Sequence, residues 1–152
     1  MGRYRRVTHS SQETVNIGIE LGKILPSGAV LLLFGDYGVG KTEFVRGIVQ
    51  GYLGDASAQD VASPSFSLLH VYGSEPRRIC HYDLYRMDNI GNNLMGVFQD
   101  AEEEDVICVE WPDNIMLPQF RETIRIYIKA ITTAQREVSI DASPSLLKLL
   151  RE

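Results

Sequence analysis

The sequence predicts one α/β domain over residues 1–152, built on a mixed parallel and antiparallel sheet flanked by helices. Three observations predict it. Two continuous apolar runs, residues 29–34 and 106–109, have strand length and the uniform hydrophobicity of strands covered on both faces. A glycine-rich turn at residues 35–42 separates the first run from a segment with apolar residues at helical spacing, so the order is strand, turn, helix. Late in the chain Ile124, Ile126 and Ile128, then Val138 and Ile140, alternate with polar residues as an antiparallel hairpin does.

The elements follow in order. Ser10-Ser11-Gln12-Glu13 matches a capping box, and Ile17, Leu21, Ile24 and Leu25 share one helical face before Pro26 stops the helix. After the glycine turn, Phe44, Val45, Ile48, Val49 and Tyr52 carry a second helix that ends near Gly54. Alternation over residues 66–70 and 79–85 predicts two strands, with residues 73–76 as the turn between them. Asn89, Gly91, Asn92, Asn93 and Gly96 weaken any helix in residues 87–105, and the acidic run at 102–105 is expected to be a solvated approach to the next strand. Ser143-Pro144 suits the start of a short terminal helix carrying Leu146, Leu147, Leu149 and Leu150.

Composition excludes several classes. At 152 residues and 44% hydrophobic, the chain can bury about two-thirds of its unfolded surface without a disulfide or metal staple. Its apolar runs are too short to span a membrane, and the polar start shows no signal peptide. Arg6 stands where a myristoylation signal needs Ser or Thr. Cys80 and Cys108 sit inside apolar strands without metal or redox spacing, so they are expected as core thiols in a reducing, cytoplasmic setting. Fifteen Lys and Arg against twenty Asp and Glu leave a net charge of −5, which argues against direct DNA binding or tight RNA binding. The amino-terminal arginines form a small local basic patch.

The chemistry is concentrated in Gly35-Asp36-Tyr37-Gly38-Val39-Gly40-Lys41-Thr42, which satisfies the Walker A pattern. Its glycines let successive backbone N–H groups converge on phosphate oxygens, and the helix that follows aims its positive end at the same point. Lys41 supplies a cation for the outer phosphates and Thr42 a hydroxyl for Mg²⁺. The pattern falls between a buried strand and a helix, its expected context, which makes the fold P-loop NTPase-like.

Such a loop needs an acid for the magnesium. Glu110 follows the apolar run 106–109 and so ends a central strand, as a Walker B acid does, with Trp111-Pro112 as an aromatic corner able to fix or cover a site. Asp83 lies on an alternating strand amid aromatics, and His81 is read there as a packed or hydrogen-bonded histidine. No asparagine is followed by lysine, so the guanine-reading motif is absent and ATP is the expected nucleotide. A small-molecule kinase and a nucleotide-dependent assembly switch remain open. The kinase would want an arginine-bearing lid, and residues 87–105 contain neither arginine nor lysine.

Together, the glycine loop, Ser63-Pro64-Ser65-Phe66-Ser67-Leu68, His81-Tyr82-Asp83-Leu84-Tyr85-Arg86 and Val109-Glu110-Trp111-Pro112 resemble, in order and spacing, the bacterial TsaE (YjeE) proteins of tRNA threonylcarbamoyladenosine biosynthesis. The resemblance spans about residues 10–140. It implies ATP and Mg²⁺ binding, weak hydrolysis, and action with TsaB and TsaD at tRNA position 37, the RNA being met through those partners. It further implies Thr42 and Glu110 as the magnesium site and Asp83 as a second essential acid. By the same resemblance Ser65 replaces the usual switch threonine, Arg136 lies near the nucleotide, and Glu13-Thr14 approaches the base. Residues 89–93 depart from the family's usual acidic helix.

Overall fold

A computed structural model describes residues 1–59, 61, 69–85, 101–112 and 121–151. In chain order the elements are β1 (Gly2–Thr8), α1 (Ser11–Ile24), β2 (Val30–Phe34), α2 (Lys41–Leu53), α3 (Asp55–Ala58), β3 (Leu69–Ser74), β4 (Arg77–Asp83), β5 (Val106–Glu110), β6 (Thr123–Ala130), β7 (Arg136–Ala142) and α4 (Pro144–Arg151). All seven strands form one sheet in the order β1-β7-β6-β2-β5-β4-β3. The four central strands, β6, β2, β5 and β4, run parallel, and antiparallel pairings add β7 and β1 on one side and β3 on the other. The mixed α/β sheet expected from sequence is the one observed.

Burial explains the centre of the sheet. Val30, Leu31, Leu32 and Leu33 of β2 and every residue of β5 are buried, as strands covered on both faces must be. The larger cluster joins Leu31, Leu33, Cys108, Ile124 and Ile126 to Leu21 of α1, Phe44 and Ile48 of α2 and Leu147 of α4. Val30, Leu32, Cys80, Tyr82, Ile107 and Val109 form a smaller cluster. Cys80 and Cys108 are buried free thiols in different clusters. Among the described residues no helix is long and apolar enough to cross a membrane.

The helix ends follow the sequence. Ser10 caps α1, its side chain accepting from Glu13 N at 3.1 Å, while the Glu13 carboxylate accepts from the backbone N–H of His9. Gly54 closes α2. The helices α1 and α2 meet backbone to backbone through glycines spaced four apart on each, Gly18 and Gly22 against Gly47 and Gly51. A Cβ at Gly51 would fall 2.1 Å from the Ile19 carbonyl oxygen, and one at Gly22 would fall 2.4 Å from that of Ile48. This contact fixes the direction of α2, and with it the position of the turn that precedes α2.

The structure corrects four local expectations. The charged start of the chain is a strand, β1, paired with β7 from Gly2 opposite Ala142 to Thr8 opposite Arg136. Its arginines hid it, because an edge strand with one wet face needs little apolar residue and gains from charge. The strand before the middle hairpin runs on through Gly73 and Ser74, leaving Glu75 and Pro76 as the turn. The short α3 was not anticipated. Asp105 is not a solvated residue of the acidic run: it is 2% exposed, whereas Glu102, Glu103 and Glu104 are exposed. The expectations for residues 66–68 and 89–93 lie outside the described residues.

Candidate functional site

The site forms where β2 turns into α2 and where the neighbouring parallel strands β4 and β5 end. Gly38 and Gly40 hold φ values of 81° and 111°, which side-chain-bearing residues seldom adopt. A Cβ at either would meet nothing within 4 Å, so here glycine serves backbone conformation and leaves open space above the loop. Gly40 is the N-cap of α2 and brings no side-chain cap, which leaves the helix start to other hydrogen-bond acceptors.

Lys41 and Thr42 open α2. Lys41 is only 5% exposed: its ammonium donates to the Gly35 carbonyl and stands 3.4 Å from the centre of the Trp111 ring. Trp111 takes φ 57°, a strained setting for a bulky residue, and it packs on Tyr85 with ring centres 4.8 Å apart. Tyr85 in turn lies 6.2 Å from Tyr37, which is 83% exposed on the loop. Asp36 is exposed, and its carbonyl accepts from Val39 N.

Thr42 Oγ1 donates to Glu110, lying 3.2 Å from Oε1 and 3.1 Å from Oε2. The two residues expected to share a magnesium ion, 68 positions apart in sequence, therefore touch. Glu110 is 3% exposed at the end of β5. Its backbone register partner on β4 is Asp83, whose carboxylate accepts from Tyr85 N at 3.0 Å. Arg136, at the start of β7, donates to the Val39 carbonyl at 3.0 Å and so braces the loop. Thr14 is 3% exposed, and its hydroxyl pairs with that of Thr8 at 2.7 Å, within the protein. Ser65 lies outside the described residues.

Sequence reasoning missed the partners of His81. Its Nε2 lies 2.6 Å from Glu110 Oε2 and its Nδ1 lies 3.0 Å from the Tyr72 hydroxyl, all within buried surroundings. One signal was available: on an alternating strand His81 shares a face with Asp83, the expected second acid. Burial pushes the Cys108 thiol up, helped by the nearby Glu110 charge, so Cys108 stays neutral beneath the site.

A buried strand, a glycine turn leading to Lys and Thr, a helix, and a parallel neighbour ending in an acid together define the P-loop class of α/β proteins. The family profile described as "Threonylcarbamoyl adenosine biosynthesis protein TsaE" matches residues 8–138, and the chain belongs to that family. The chain is 30% identical over 139 residues to the tRNA threonylcarbamoyladenosine biosynthesis protein TsaE of Treponema pallidum, covering 90% of this chain and 98% of that one. It is 33% identical over 147 residues to the protein of the same name from Bacillus subtilis, covering 95% and 89%. The crystal structure of Bacillus subtilis YdiB superposes with a TM-score of 0.72 at 29% identity, covering 99% of this chain and 92% of that one.

Proposed function

We propose that this protein binds ATP with Mg²⁺ and hydrolyses it slowly, in support of threonylcarbamoyladenosine formation at position 37 of tRNA by a TsaB–TsaD type complex. The observation that carries the reading is the meeting of Thr42 and Glu110 beside Lys41 at the start of α2. Mg²⁺ on a nucleotide commonly takes one or two protein oxygens and fills its other positions with phosphate and water, so a hydroxyl and one carboxylate fit it. The ion, when bound, would neutralise charge developing on the phosphates.

The chain's own groups then have distinct tasks. The backbone from Gly35 to Thr42 would cradle the phosphates, and Lys41 would exchange the Gly35 carbonyl and the Trp111 face for phosphate oxygens. Asp83, in register with Glu110, would orient the attacking water. Arg136 would keep the loop in shape through Val39. Family membership supports the tRNA step, and the acidity of the chain suits a protein that leaves RNA contact to partners.

Calorimetric titration tests the reading. ATP with Mg²⁺ should bind much better than GTP, since no guanine reader is present. Lys41→Ala should weaken ATP binding about tenfold to a hundredfold, the worth of one charge-assisted contact. Glu110→Gln should keep most ATP affinity yet lose Mg²⁺-dependent turnover measured with the partners and tRNA. Equal or tighter GTP binding, or near-normal turnover in Glu110→Gln, overturns the corresponding assignment.

A further inference from the structure

His81 is completely buried, as are its two partners but for a few per cent of their surface. An ionised carboxylate can only accept hydrogen bonds, so the imidazole nitrogen 2.6 Å from Glu110 Oε2 must carry the hydrogen. The ring is then a donor at Nε2 and, when neutral, an acceptor at Nδ1, where the Tyr72 hydroxyl lies at 3.0 Å. The donors run one way, Tyr72 to His81 to Glu110.

This chain of contacts divides the two oxygens of Glu110. Oε2 is held by His81, and both oxygens face the Thr42 hydroxyl, so Oε1 is the one without an imidazole. We propose that His81, steadied by Tyr72, is a positioning residue that turns Glu110 so that Oε1 is presented to the divalent ion beside Thr42. The inference rests on the ATP and Mg²⁺ reading above and adds a residue to it. β-Strand geometry supplies the alignment: His81 lies opposite Cys108 in the parallel register, one alternation before Asp83 lies opposite Glu110. Tyr72 enters from β3, two residues from the position opposite His81 on that strand. Partners that hold a metal-binding carboxylate or imidazole in place typically govern about 10- to 100-fold in metal affinity.

A packing role and a positioning role separate in one measurement. ATP affinity is titrated in EDTA, and Mn²⁺ affinity of the protein–ATP complex is read by electron paramagnetic resonance, on the full chain. His81→Leu should keep its ATP affinity in EDTA within about twofold and lose about 10- to 100-fold in Mn²⁺ affinity. His81→Gln, which keeps an N–H donor toward Glu110, should recover most of that loss, and Tyr72→Phe should show a smaller one. Unchanged Mn²⁺ affinity in His81→Leu, or a Gln variant as impaired as the Leu variant, overturns the proposal. Should His81→Leu fail to fold, Tyr72→Phe decides: a loss confined to Mn²⁺ affinity supports the relay, and an unchanged affinity overturns it. A wild-type protein that binds no ATP under either condition overturns the proposed function itself, and is told apart because the wild type alone reveals it.

Discussion

Asp105 shows how one carboxylate can hold the base of a site it never touches. Both its oxygens accept from Arg78, at 3.0 and 2.6 Å, and Oδ2 also accepts from Glu102 N at 2.8 Å. Arg121 adds bonds to the carbonyls of Asp105 and Glu102, so the entry to β5 is tied to β4 on one side and to β6 on the other. Burial alone would push the Asp105 carboxyl up, but the Arg78 hydrogen bond and charge and the Glu102 N–H outweigh it and hold it below the ordinary range. The neighbouring Cys80 thiol is pushed up to about 12, first by burial and then by the Asp105 charge. The unfolded chain therefore takes a proton at Asp105 at a higher pH than the folded protein does. Stability from this group is fully present above the ordinary Asp value of about 4 and is lost as pH falls below it. Asp105→Asn should lower Tm at neutral pH by about 3–8 °C and flatten the fall in Tm below about pH 4, where the folded protein takes up this proton. Thermal melts across that range check it, and an unchanged slope refutes it. The loop, Lys41, Thr42 and Glu110 were legible because their chemistry demands a fixed local pattern or a strand end. Asp105 and the partners of His81 were not, because side-chain pairing between strands, across 9 to 29 residues, does not show in local spacing.

At the scale of elements, the same contrast separates periodic segments from close contacts. The helix α1, the strands β2 and β5, and the β6–β7 hairpin were legible, since each carries its own apolar period and a cap or turn. The edge strand β1 was not, because its pairing with β7 is a property of the sheet and its residues are mostly exposed. Nor was the glycine seam between α1 and α2, where four glycines could equally have been read as helix weaknesses. The seam gives a sharp expectation. Alanine in place of glycine favours an isolated helix by about 1 kcal/mol. At Gly51, however, the added methyl would meet the Ile19 carbonyl oxygen and carbon and the Lys23 nitrogen at 2.1, 3.0 and 3.0 Å, all backbone atoms that cannot rotate away. Overpacking of this kind costs about 1–3 kcal/mol or more, so Gly51→Ala should destabilise despite its propensity. Urea denaturation should show a lower midpoint at unchanged slope; a stabilised variant would mean that the helices can part freely.

For the whole molecule, charge placement argues for a division of labour. The chain carries −5, and the basic stretch at its start, Arg3, Arg5 and Arg6, lies on the outer strand β1. There Arg3 makes a two-point pair with Asp141 at 2.6 and 2.9 Å, and Arg5 stands 3.9 Å from Glu137, both acids being supplied by β7. Two of these three cations thus already stand against acids of the neighbouring strand. Affinity for nucleic acid comes mainly from cations that release counterions from phosphates, and non-specific binding at physiological salt has Kd values of about 10⁻⁴–10⁻⁶ M even for proteins built for it. This chain alone should therefore bind tRNA at or below the weak end of that range, with or without ATP. Arg3→Ala should change that binding little, because it removes a charge already paired. Tight tRNA association should appear only once the partner proteins are added, if the RNA surface belongs to them. Filter binding at about 150 mM salt, with the chain alone and with the partners, measures both. Sub-micromolar tRNA binding by the chain alone would place an RNA surface on this protein and end the division of labour argued from its charge.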